Sequence, residues 1–142
     1  FLDTGARHLV RFVQDLAGYP VFSEGGVLRH DPRFAPEGTN VDFVELLKED
    51  VGNLLAVRTF EKGVEDETLA CGTGIVASAI AAYSFGLLGR GGNDGEVSCK
   101  VRTAIAELSV GFKAAPETLP FSASDVWLTG PAVFIGTVEI ML

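Results

Sequence analysis

Positive charge is scarce in this chain: 11 Lys and Arg stand against 19 Asp and Glu, a formal net charge of −8. Phosphate binding needs a basic face, so the balance argues against nucleic acid as a partner; otherwise it speaks only for solubility. Cysteine is scarce as well. Cys71 and Cys99 sit in such different surroundings that they set no disulfide framework, and a reducing cytoplasm fits best. Long apolar runs are missing: none approaches the ~20 residues that cross a bilayer. The longest stretch, 75–88, is interrupted by Ser78, Tyr83, Ser84 and Gly86, so no membrane segment is expected. No basic head followed by an apolar run marks a signal peptide. Methionine is missing from the start too. The chain opens on Phe1-Leu2-Asp3-Thr4-Gly5, which reads as a chain cut from something longer.

What is present points to one small, turn-rich domain. At 142 residues and 47% apolar composition the chain can bury a single core. Its 17 glycines beside 21% charged residues suggest many turns between short strands. Residues 7–14 alternate as a strand, with His8, Val10 and Phe12 on one face. A turn-rich stretch, 23–38, has room for a short helix around 27–30. Residues 41–49 and 54–61 read as a hairpin through Asp50-Val51-Gly52-Asn53.

The next stretch breaks that rhythm. From residue 72 to 88 the chain carries alanines at 77, 79, 81 and 82 and is apolar on nearly every side. Such a helix must be buried all round. Gly89 is expected to end it, and 90–95 to form a flexible loop. Strands follow at 97–102, 106–113, 125–129 and 132–140, with a turn-rich stretch at 116–124. The expected fold is α+β: a mostly antiparallel sheet curled into a barrel around one central buried helix.

Cys71 lies at the amino end of that helix, beside Ala70 and Gly72-Thr73-Gly74. The positive end of a helix dipole lowers a thiol pKa from about 8.5. Glycines let a ligand approach the backbone, and the open first-turn amides suit a carboxylate. The combination suggests chemistry at a carbon that bears a carboxylate, and the acidic run Glu65-Asp66-Glu67 favours this over a plain core cysteine. Cys99 shares a strand face with Val97 and Val101, has no glycine neighbours and no helix end nearby, and reads as core. Glu61 could exchange a proton with a thiol and Lys62 could hold a carboxylate, although a surface ion pair explains them equally well. His8 by itself is a weak signal, and Asn40 would ordinarily be a turn residue.

Together these residues resemble the diaminopimelate epimerase family. The stretch Glu61-Lys62-Gly63 through Glu67-Thr68-Leu69-Ala70-Cys71-Gly72-Thr73-Gly74 is similar to that family's second cysteine signature. Asp3-Thr4-Gly5 with His8, Pro32-Arg33-Phe34 leading to Glu37-Gly38-Thr39-Asn40-Val41, and Leu128-Thr129-Gly130-Pro131-Ala132 with Phe134 match as well. The likeness spans essentially all 142 residues and corresponds to the carboxyl-terminal half of a family member.

The resemblance implies the carboxyl-terminal domain of a two-domain protein. It implies a two-base epimerisation of LL- to meso-diaminopimelate without cofactor or metal, serving lysine and cell-wall precursor synthesis. One cysteine thiolate removes the Cα proton and a thiol on the opposite face returns one. By position Cys71 is one base, and Gly72 and Thr73 supply carboxylate-binding amides. Glu61 assists Cys71, His8 assists the other cysteine, and Asn40 and Lys62 hold the distal end of the substrate. The implied partners are a small amino-acid substrate and an amino-terminal domain, with a homodimer left open.

The family's other cysteine, set in a Cys-Gly-Asn-Gly context, is absent from these residues. Lys62 stands where the family usually has arginine; it keeps the charge but loses the bidentate fork. Ala6 and Arg7 replace the usual asparagine and proline before the histidine, and the loop from Glu61 to Cys71 is one residue longer than in many members. Two alternatives therefore stay open: a related racemase of another amino acid, and a non-catalytic amino-acid-binding module.

Overall fold

A computed structural model describes residues 1–47, 54–89, 95–115 and 121–140. Among the described residues eight strands form a single sheet: β1 (Leu2–Asp3), β2 (Arg7–Phe12), β3 (Asn40–Leu47), β4 (Leu54–Glu61), β5 (Asp66–Thr68), β6 (Glu96–Arg102), β7 (Glu107–Ala115) and β8 (Ser122–Thr129). Helix α1 (Val21–Arg29) precedes β3, and α2 (Gly72–Ser84) follows β5. The spatial order is β1-β2-β3-β4-β6-β7-β8, with β5 also on β4. Pairings are antiparallel except β2 with β3 and β4 with β6. The expected α+β architecture holds: the sheet curls part-way round α2, which contacts strands from both its halves.

Alternation along β3 decides which side chain goes where. Val41 and Phe43 point to the α1 side and join Leu16, Val21 and Phe60 in one apolar cluster. Val44 points the other way, into the larger cluster with Leu55, Val57, Ile75, Ala79, Ile80, Val101 and Val110. A strand covered on both faces has no solvent side, and Val41 through Val44 are all fully buried. Each large aliphatic side chain so buried contributes about 1.5–3 kcal/mol. Asp42 shares the α2 face with Val44, and this places a carboxylate inside the barrel.

Strand β4 forks. Its first half pairs with β6 (Leu54↔Lys100), its second half with β5 (Glu61↔Asp66). The turn from β4 to β5 closes with Glu65 N–H donating to Glu61 O at 2.9 Å. It needs left-handed backbone at Gly63 (φ 92°) and at Glu65 (φ 59°). The strained Glu65 is held by Arg29 at 3.1 Å and His30 at 3.2 Å, so α1 staples this turn. After three residues β5 leaves the sheet, and the chain drops into the mouth of the fork to begin α2.

Four sequence expectations change. Helix α1 starts six residues before the expected 27–30 segment; Gly25 and Gly26 hide it, because glycine is a poor helix former. Gly25 is there because a Cβ would collide with the Phe60 ring. Helix α2 ends at Ser84, not Leu88. Gly86 (φ 70°), with Gly86 N–H to Tyr83 O at 2.8 Å and Leu87 N–H to Ala82 O at 2.9 Å, closes it as a Schellman turn three residues before Gly89. Residues 66–68, expected as loop, pair with β4. Residues 132–140, expected as a strand, form none and lie exposed, Ile135 at 98%; alternation alone makes no strand without a ladder partner, and none is present among the described residues. The hairpin turn at 50–53 and most of the 90–95 loop and the 116–124 stretch lie outside the described residues. No described helix is long and apolar enough to cross a membrane.

Candidate active site

Cys71 is the N-cap of α2, with extended backbone (φ −121°, ψ 110°) and its carbonyl accepting from Ile75 N–H at 2.9 Å. The amides of Gly72, Thr73 and Gly74 therefore have no intrahelical partner. A backbone hydrogen bond from Gly74 favours the Cys71 thiolate, and Gly72 and Thr73 are exposed. The thiol is 8% exposed and its sulfur lies 3.6 Å from Thr73 Oγ1. Burial pushes the thiol up from its ordinary value of 9.0, against the downward pull of the Thr73 and Gly74 bonds; the charges of Asp42 and Glu61 push it further up. The helix dipole, expected from the sequence to lower this thiol, is outweighed by the desolvation of a buried cap.

His8 is fully buried and both its ring nitrogens are engaged. Nδ1 is 2.7 Å from Asp42 Oδ2, and Nε2 is 3.0 Å from Thr73 Oγ1. Thr59 Oγ1 donates to the second oxygen, Asp42 Oδ1, at 2.7 Å. Adjacent strands explain the meeting: Val10 is opposite Asp42 across the β2–β3 ladder, and Thr59 is opposite it across β3–β4. Helix α2 can sit on this group because residue 74 is glycine; a Cβ there would run into the Asp42 carboxylate and press on the His8 ring at 3.3 Å. A Cβ on Gly72 would meet only Leu128, at 3.5 Å. The two glycines thus differ: packing requires the one at 74, and nothing in the packing requires the one at 72.

Asn40 is 7% exposed and ties two strand ends together. Its Nδ2 donates to Arg7 O at 3.0 Å and its Oδ1 accepts from Lys62 N–H at 2.8 Å. The carbonyl and one amide hydrogen are thereby committed. The Lys62 side chain is exposed, next to an Arg7–Glu37 ion pair of 2.8 Å; both cations lower the Glu37 carboxyl, after its own backbone amide. Glu61 is half-buried at the end of β4, within electrostatic reach of Cys71. The acidic run is structural. Glu67 grips Arg58 in a bidentate pair at 2.6 and 2.7 Å, and Glu65 staples α1.

Of the sequence candidates, Cys71, Gly72, Thr73 and His8 converge at the start of α2, with Glu61 nearby; Asn40 and Lys62 form a second group joined by a hydrogen bond. Cys99 is 3% exposed in the core, its thiol raised to about 11 by burial. Sequence reasoning missed Asp42 and Thr59. A carboxylate inside the run Val41-Asp42-Phe43-Val44 was the available signal, because a charge in a doubly covered strand must be paired. An open pocket of about 780 Å³ lies over the same turn, lined by Thr4, Gly72, Thr73, Val76, Phe121 and Leu128. Its walls are mainly apolar and do not include Cys71, so it adjoins the thiol without containing it.

The sequence profile of diaminopimelate epimerases matches residues 1–115. The chain is 39% identical over 142 residues to the diaminopimelate epimerase of Chlorobaculum tepidum, covering 99% of this chain and 49% of that protein. It is 52% identical over 90 residues to that of Chlamydia trachomatis, 63% of this chain and 32% of that protein. It is 40% identical over 134 residues to that of Methanothrix thermoacetophila, 94% of this chain and 40% of that protein. The chain spans about half the length, or less, of these curated relatives.

Proposed function

The chain belongs to the diaminopimelate epimerase family, and from that premise we propose that it supplies one half-site of a cofactor-independent, two-base epimerisation of LL- to meso-diaminopimelate. The observation that carries the proposal is Cys71 at the cap of α2, beside the exposed first-turn residues Gly72 and Thr73. The reacting carboxylate sits on the Gly72 and Thr73 N–H groups, which stabilise the charge that develops when the Cα proton leaves. Cys71 exchanges that proton on one face. A second thiol, supplied by an amino-terminal domain, exchanges it on the other.

Raised by burial, Cys71 rests mainly as the thiol, which is the proton donor of the pair for one direction of the reaction. Glu61 assists it as a nearby carboxylate. Asn40, through its remaining amide hydrogen, and Lys62 bind the distal end of the substrate.

Lys62, a point charge where the family usually has the fork of arginine, favours together with Ala6 a second reading, a racemase of another amino acid. The discriminating experiment incubates the gene product that carries these residues with LL-diaminopimelate in D2O and follows Cα by NMR. Deuteration with appearance of the meso form supports the main reading. Exchange only with a different amino acid supports the racemase, and binding of the substrate without any exchange leaves a binding module.

A further inference from the structure

The buried Asp42 carboxylate has no part in the reading above. Burying a charge is costly unless it is well paired, and valine would suit this position on β3 as it suits the neighbours. Its two oxygens are committed to Thr59 Oγ1 and His8 Nδ1, each at 2.7 Å. A carboxylate on Nδ1 fixes the tautomer with the proton there, which turns the Nε2 lone pair toward Thr73 Oγ1 at 3.0 Å. Thr73 Oγ1 in turn lies 3.6 Å from the Cys71 sulfur.

We propose that Asp42 is a positioning residue and that Asp42, His8 and Thr73 form a proton relay ending on Cys71. The S–H proton of Cys71 passes to Thr73 Oγ1 while the Thr73 hydroxyl proton passes to His8 Nε2. One S–H and one O–H bond break; one O–H and one N–H bond form. The products are a Cys71 thiolate and a His8 imidazolium paired with Asp42, and the reverse step restores the thiol. His8, which the resemblance assigns to the opposite cysteine, is thereby coupled to the near one. The proposal rests on Cys71 being a base and adds the device that ionises it.

The charges that face Cys71 are those of Asp42 and Glu61, and through space both oppose the thiolate. Removing the Asp42 charge therefore favours ionisation through space, but opposes it through the relay, because the imidazolium loses its counter-ion. The two mechanisms differ in sign. The test is a double-mutant cycle on this chain, with iodoacetamide alkylation of Cys71 at neutral pH read by mass spectrometry for the parent, Asp42→Asn, Thr73→Val and the double variant. The relay predicts that Asp42→Asn slows Cys71 by about tenfold when Thr73 is present, because the imidazolium that takes up the proton loses its paired carboxylate. It predicts no slowing in the Thr73→Val background. Acceleration by Asp42→Asn, or equal slowing in both backgrounds, overturns it.

Cys99 labelling reports whether each variant is folded. If Asp42→Asn unfolds the chain, the 15N imidazole spectrum of His8 in the parent decides: protonated Nδ1 with bare Nε2 is expected, and a proton on Nε2 of the neutral ring overturns the relay. A parent Cys71 that labels no faster than Cys99 instead removes the reading of Cys71 as a base, an outcome distinct from failure of the cycle.

Discussion

Two thiols in one small chain meet opposite environments, and the difference can be measured. Cys99 is packed among apolar side chains with burial as the sole cause of its raised value, whereas Cys71 has a hydroxyl and an amide N–H to stabilise its thiolate. Iodoacetamide should therefore label Cys71 well ahead of Cys99 in the folded chain, with both rates still climbing above pH ~9 because burial raises both thiols. The Cys99 shift also has a consequence for stability. Its folded value is raised from 9.0 to about 11. The stabilisation is thus fully present below pH 9 and is lost as pH rises toward 11, a drop of order 2–3 kcal/mol. Comparing denaturation midpoints of the parent and Cys99→Ala across that range isolates it: the alkaline decline should be shallower in the variant, and parallel curves would contradict the assignment. At this scale the place of Cys71 at the amino end of a buried helix was legible in the sequence. Its pKa direction was not, since desolvation depends on what packs over α2. Asp42 was passed over because a single acid in an apolar strand looks like a local exception until its neighbours on β2 and β4 are known.

The elements carry a sharper test of why the glycines are there. Residue 74 is glycine because Asp42 and His8 occupy the space of a Cβ. Gly74→Ala should destabilise the chain by about 1–3 kcal/mol, the usual cost of overpacking, and should displace the hydrogen bonds to His8. Gly72→Ala should leave the denaturation midpoint nearly unchanged, because its Cβ meets only Leu128, yet in the gene product that carries these residues it should weaken epimerisation by crowding the seat of the carboxylate. Equal losses of stability in the two variants would show that the first turn of α2 is packed differently. The buried helix itself was plain from its composition, whereas its end was not. A Schellman turn at Gly86 depends on which of two nearby glycines takes the left-handed conformation. Helix α1 was hidden for a related reason, because the glycine that lets it lie on Phe60 also lowers its helix propensity. Strand β5 is only three residues long and meets β4 across a four-residue turn, too short a run for alternation to announce it.

For the molecule as a whole, the sheet curls part-way round α2 and leaves Gly72 and Thr73, at the amino end of that helix, exposed. A single thiol serves one face of a carbanion, so these 142 residues by themselves should bind the substrate weakly and epimerise none of it. The central claim, that Cys71 is one of two opposed bases, is tested most directly in the gene product that carries these residues, with Cys71→Ser. Serine raises the pKa of the base far above that of a thiol, so reversible epimerisation of LL-diaminopimelate should collapse. Elimination of HX from a halogenated diaminopimelate analogue needs a base on only one face, and should survive for one configuration at the reacting carbon and be lost for the other. Epimerisation near the parent rate in that variant would contradict the account.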